Sequence, residues 1–214
     1  MNLQVILHRI GESPALALFV LVVIGYLFGS LPFAVWVTRW VKGVDVRAAG
    51  SHHATTTNTI RQAGFGPGVV VLVLDIAKGA IPVALAASAG APDWVIGCVS
   101  AAAVAGHCWP VFAGFRGGMG LATAGGGYLV VSPLGFAIVL GLLVGLTLLL
   151  RHGARASILT GILATPLVWL LGLRGPVLWV ALLSGLVFAA RFTIDWGREY
   201  RELWLDREKK IKTR

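Results

Sequence analysis

Charge is the scarcest commodity in this chain of 214 residues: 13% of them are Asp, Glu, Lys or Arg, against roughly 25% in average soluble domains. With 57% hydrophobic residues, a soluble domain of this size could not bury its apolar side chains in one core, because much of it must lie at the surface. That excludes an ordinary soluble globular fold. Acidic residues are rarer still, 9 against 18 Lys and Arg, and no HExxH, GxSxG, CxxC pair or carboxylate cluster occurs. Metal, haem and serine-hydrolase chemistry therefore have no sequence support. The two cysteines, Cys98 and Cys108, are ten residues apart on one expected helix, about 15 Å at the helical rise, too far for a mutual disulfide.

What the chain has is long apolar runs. Breakers divide them into Ala15 to Val37, Pro67 to Ala87, Trp94 to Phe112, Leu121 to Val131, Pro133 to Leu150, Ser157 to Leu173 and Val177 to Ala190. A bilayer core takes about 20 helical residues, so six of these can span and the fourth is short. The first run has no small-residue cleavage pattern after it and reads as a retained span. Placing the N-terminus outside, with seven crossings, puts Arg39, Lys42, Arg47, Arg61, Arg116, Arg151, Arg155, Arg191 and the basic tail on the cytoplasmic side, and leaves Arg9 and Arg174 outside. This satisfies the positive-inside rule, and six crossings would break it. The expected fold is thus an all-α membrane protein of seven transmembrane helices, N-terminus outside and C-terminus cytoplasmic. Residues 1–190 form the bundle. Residues 191–214 form a basic amphipathic tail with Trp196, Tyr200, Leu203 and Trp204 as interfacial anchors.

Ionisable residues inside spans demand a reason. Asp75 and Lys78, three apart on the second span, share a face; a structural ion pair and a substrate role both remain open. His107 in the third span is open in the same way, between a packing residue and a base. The run Gly114 to Gly120 (GFRGGMG) can bring backbone N–H groups close to an anion at a helix start, or merely pack helices. The long polar insert from Arg39 to Gly66 offers Ser51, three threonines, Asn58 and Arg61, donors suited to phosphate oxygens. Because these groups follow topology and form no continuous basic stripe, nucleic acid is a poor partner. A small phosphorylated molecule fits better.

The motifs GSLPF (Gly29 to Phe33), KGVDVR (Lys42 to Arg47), GSHHATTTNTIRQAG (Gly50 to Gly64), LDIAKGAIP (Leu74 to Pro82), GHCWPVFAGFRGGMGLAT (Gly106 to Thr123) and Ser132-Pro133 resemble, in order, the bacterial acyl-phosphate:glycerol-3-phosphate acyltransferase family. The resemblance implies transfer of an acyl chain from acyl phosphate to the 1-hydroxyl of sn-glycerol 3-phosphate, giving lysophosphatidic acid at a multi-pass inner (plasma) membrane protein. It implies no metal or other cofactor. By position it assigns catalytic roles to Ser51, Arg61, Ser157 and His107. It assigns phosphate or substrate binding to Asp45, Arg47, Thr57, Asn58, Asp75, Lys78, Arg116, Gly117, Gly118 and Gly120. The chain departs from the pattern where the family has Gly-Asn (His52-His53), the lysine of GGKG (Met119), and the His and Asn after the last span (Phe192 and Asp195). It reads as a divergent member; the alternative is a paralogue that binds or transports a phosphorylated lipid precursor, or uses another acceptor. Acyl-chain preference and oligomeric state are open.

Overall fold

The computed structural model describes residues 14–194, and every regular element among them is helical. The elements are α1 (Pro14–Gly29), α2 (Phe33–Lys42), α3 (Thr56–Ala63), α4 (Phe65–Ser88), α5 (Asp93–Cys108), α6 (Leu121–Val131), α7 (Pro133–Leu150), α8 (Gly153–Leu170) and α9 (Pro176–Thr193), with single 3-10 turns at Val46–Ala48 and Val111–Ala113. Six segments are long and apolar enough to cross a bilayer: Ala15–Lys42, Phe65–Ser88, Asp93–Ala113, Pro133–Leu150, Gly153–Leu170 and Pro176–Ile194. The short fourth run forms α6, whose 11 residues rise only about 16 Å. Ser132 ends it in extended backbone, and its hydroxyl accepts the Gly135 N–H to start α7 at Pro133.

Helix α5 is the hub, packed against α1, α4, α6 and α9. Small residues make these approaches possible, as expected where helices associate in lipid by close packing. At the α4–α6 crossing, a Cβ on Gly79 would strike the Thr123 backbone and one on Gly126 the Ile76 backbone. α7 buries only Gly135 and Val139, and its remaining apolar surface suits lipid.

The first apolar run is not one continuous helix. The regular helical pattern is interrupted between Gly29 and Phe33, and the Leu31 carbonyl accepts from Lys78, a feature the run's unbroken hydrophobicity conceals. The polar insert is folded, because Thr55 caps α3 by accepting the Asn58 N–H. Arg191, expected to open the tail, instead lies on α9 and is 7% exposed. Phe192 and Thr193 continue α9 with it, and the tail residues from Asp195 on, Trp196, Tyr200, Leu203 and Trp204 among them, lie outside the described residues.

Candidate active site

Asp75, Lys78 and His107 meet inside the bundle. Lys78 Nζ lies 2.8 Å from Asp75 Oδ1, and His107 Nδ1 lies 3.6 Å from the same oxygen. The Thr123 hydroxyl sits 3.2 Å from that histidine nitrogen, so α4, α5 and α6 each contribute to one buried polar cluster. Lys78 also donates to the Leu31 carbonyl at 3.0 Å and lies 5.7 Å from the centre of the Phe33 ring. The α1–α2 break thus supplies the lysine with a carbonyl and a π face. An ammonium in this setting is tolerable only because it is paired and hydrogen-bonded.

Beside this cluster lies a small cleft, lined by Leu31 to Ala34 from the break, Ala54 from the insert, Asp75, Lys78, His107 and Pro110, and by Gly117 and Gly118 of the glycine turn. The turn needs its glycines. A Cβ on Gly117 would strike the His107 carbonyl, and one on Gly118 would strike His107 Nε2 and the Ala54 carbonyl. Backbone bonds pin the same peptide unit from both ends: the Ala54 N–H donates to the Gly117 carbonyl at 3.2 Å, and the Gly118 N–H to the His107 carbonyl at 3.1 Å.

The remaining sequence-assigned residues sit outside the cleft lining, in the adjoining loops, on α3 and, for Ser157, on α8. Several have structural work there. The Asn58 amide donates to the carbonyls of Val46, Ala49 and His53 and accepts weakly from the Ser51 N–H, at 2.7, 3.1, 3.1 and 3.4 Å; it shapes the loop and has no donor left for a phosphate. Arg47 grips Asp45 with Nε to Oδ1 at 2.9 Å and Nη2 to Oδ2 at 2.7 Å. Its Nη1 donates to the carbonyls of Ala113 and Arg116 at 2.7 and 3.2 Å, tying the insert to the glycine turn. The Arg47 side chain holds the Asp45 carboxyl down at about 2, against the opposing effect of burial, and the carboxylate in turn raises the Arg47 guanidinium. Ser51 and Thr57 are half-buried in the loop and α3, while Arg61 and Arg116 are exposed at the same mouth. Gly120, in left-handed backbone at φ 82°, starts α6. Ser157 is buried on α8, adjacent in sequence to Ile158 of an apolar cluster, and does not line the cleft.

Two departures from the family pattern become intelligible in space. Met119 and Phe192 share one apolar cluster with Val104, Cys108, Ile158 and Phe188, so the side chain following the two glycines points into packing. His52 holds φ 59°, a left-handed conformation that glycine adopts at no cost and that histidine enters more readily than most residues. A bond between its Nδ1 and the Arg47 carbonyl at 3.1 Å steadies it.

Sequence reasoning missed three participants: the Leu31 carbonyl, Thr123 and Arg191. Only Arg191 left a signal, as a cation within one turn of an apolar run.

Fold and site define a class: an all-helical integral membrane protein with its polar chemistry gathered at one mouth, between a glycine turn and a structured loop. The family model described as Glycerol-3-phosphate acyltransferase matches residues 19–199. A glycerol-3-phosphate acyltransferase of Anaeromyxobacter dehalogenans (strain 2CP-C) is 40% identical over 211 residues, 93% of this chain and 100% of the relative. One from Synechococcus sp. (strain CC9902) is 42% identical over 148 residues, 69% of this chain and 74% of the relative. Among solved structures, PlsY (YgiH), an integral membrane glycerol 3-phosphate acyltransferase in its glycerol 3-phosphate form, superposes with a TM-score of 0.74 at 36% identity, covering 85% of this chain and 91% of that one. Its lysophosphatidic acid form gives 0.73 at 35% identity. The chain belongs to the glycerol-3-phosphate acyltransferase family, and it is an acyltransferase.

Proposed function

We propose that this chain transfers an acyl group from acyl phosphate to the 1-hydroxyl of glycerol 3-phosphate, releasing lysophosphatidic acid and inorganic phosphate. The observation that carries the reading is the cleft where the Lys78 ammonium and the pinned Gly117–Gly118 turn face a small space at the basic mouth. Solved forms of the related PlsY with glycerol 3-phosphate and with lysophosphatidic acid support the same acceptor and product.

An acyl phosphate is a mixed anhydride and needs no protein nucleophile. The acceptor oxygen bonds to the acyl carbon, the bond from that carbon to the phosphate oxygen breaks, and the hydroxyl proton passes to the departing phosphate. The protein's work is positioning and charge stabilisation. Ser51, Thr57 and Arg61 hold one phosphate. The start of α6, with Gly117, Gly118, Gly120 and Arg116, holds the other, and Lys78 sits between them. Asp45, Arg47 and Asn58 keep the loop in shape, Asp75 anchors Lys78, and His107 backs the glycine turn. Ser157, buried on α8 outside the cleft lining, takes its catalytic role from the family resemblance alone. The acyl chain leaves between helices into lipid.

The same reading orients the protein. Counting α6, the chain crosses the inner membrane seven times with its N-terminus outside, the catalytic bundle reaching through α9 and a basic cytoplasmic tail following it. Purified protein in lipid, given acyl phosphate and glycerol 3-phosphate, should yield lysophosphatidic acid, and an acyl thioester in place of acyl phosphate should not. Product from the thioester alone would overturn the donor assignment.

A further inference from the structure

One side chain joins the glycine turn to the loop before α3, and it comes from α9. Arg191, 7% exposed on the final turn of α9, donates through Nε to the Gly118 carbonyl at 3.2 Å. Its Nη2 lies 3.2 Å from Nδ1 of His53, which is itself 9% exposed. A guanidinium only donates, so the facing histidine nitrogen accepts. Gly118 lines the cleft directly, and His53 precedes Ala54, which also lines it and bonds to the same turn.

The bond to Gly118 completes the pinning of the turn. The 117–118 peptide unit is already held by Ala54 and His107. Because a peptide unit is planar and trans, fixing the Gly118 carbonyl also fixes the direction of the Met119 N–H on its far side. Two consecutive peptide planes just before α6 are thus held, and Arg191 bonds the second. The C-terminal turn of α9 offers a natural seat for the cation, since the helix end carries partial negative charge.

We propose that Arg191 is a positioning residue for acyl transfer, fastening the Gly117–Gly118 turn and the loop before α3 to α9 so that these two bonded segments keep one placement beside the phosphate-binding cleft. The inference rests on the reading of this cleft as a phosphate-ester site. It does not require Arg191 to touch substrate.

The test uses the full-length protein in lipid nanodiscs, as wild type, Arg191→Gln, Arg191→Lys, His53→Ala and the double variant His53→Ala/Arg191→Gln. Thermal unfolding is followed with and without inorganic phosphate, and kcat and KM are measured for glycerol 3-phosphate. Loss of the charge-assisted bonds should lower kcat/KM by about tenfold or more in Arg191→Gln, mostly through KM. Lysine should restore only part, since one ammonium cannot reach both partners along the same fork. The phosphate-induced rise in melting temperature should shrink in Arg191→Gln while the unliganded protein still unfolds cooperatively. The double variant should lose no more than Arg191→Gln alone, because both changes cut one brace.

A full phosphate-induced shift in Arg191→Gln, wild-type kcat/KM in that variant, or additive losses in the double variant would each overturn the proposal. So would the absence of any phosphate shift in wild type. Should Arg191→Gln fail to fold, Arg191→Lys decides: a weakened phosphate shift with raised KM supports the brace, and wild-type values for both refute it. If wild type is stabilised by phosphate in an Arg191-dependent way yet makes no lysophosphatidic acid, the positioning role stands and the proposed reaction fails.

Discussion

Asp75→Asn is the most informative single change, because it removes one charge from a pair that is almost wholly buried. Asp75 is 2% exposed and Lys78 4%, with Nζ and Oδ1 at 2.8 Å. Taking away one partner of a buried pair typically costs about 3–5 kcal/mol, because the other charge is left without compensation. Lys78 would keep the Leu31 carbonyl at 3.0 Å and the Phe33 ring at 5.7 Å, so its charge stays partly compensated. The expected loss is therefore near the lower end, about 3 kcal/mol. Thermal unfolding in nanodiscs, followed by tryptophan fluorescence, would register it as a clear fall in melting temperature. The double variant Asp75→Asn/Lys78→Met removes both charges and should regain most of that stability. It should not regain turnover, since the ammonium facing the cleft is gone. An Asp75→Asn protein as stable as wild type would refute the buried-pair argument, and wild-type turnover in the double variant would remove Lys78 from the phosphate site.

Asp45 gives a pH test. Its carboxyl is held at about 2 in the folded protein against an ordinary 3.8, so its contribution to stability is complete above about pH 4 and fades as pH falls toward 2. The stability gap between wild type and Asp45→Asn, measured by thermal melts, should be open at pH 5 and closed near pH 2; a gap that widens on acidification would contradict the brace. Met119→Lys forces an ammonium into the cluster of Phe188, Phe192 and Ile158, and should destabilise the protein by several kcal/mol without raising turnover. A stable, faster variant would show that the cluster opens to the cleft. Cysteine placed at Pro92 should react with an impermeant reagent from outside, and cysteine at Ala48 only after permeabilisation; external labelling at Ala48 would reverse the orientation.

Runs of apolar residues made the membrane helices legible, since each must satisfy its own backbone within lipid. The i, i+3 spacing of Asp75 and Lys78 likewise revealed their pairing, because a helix places such residues on one face. What the spacing could not reveal was whom else they meet. His107 and Thr123 join Asp75 through close helix crossings, and the Leu31 carbonyl reaches Lys78 through a break hidden within a continuous apolar run. Asn58 read as a phosphate donor because its type is suitable. Its three carbonyl partners are fixed by the loop's path, which residue type does not encode. Arg191 read as the first residue of a basic tail because it is charged; the fold turns it inward, where it serves the glycine turn. Met119 and Phe192, 73 positions apart, form one apolar contact region that no local pattern anticipates.

The central claim is that the cleft between the Gly117–Gly118 turn, Lys78 and the insert receives a phosphate ester. A structure of this protein determined with glycerol 3-phosphate tests it directly. The phosphate should lie against Gly117 and Gly118 or the Ser51–Arg61 segment, with the glycerol hydroxyl directed into the space before Lys78 and His107. Ligand density seated instead at the separate arginines Arg151 and Arg155, with the cleft empty, would contradict it.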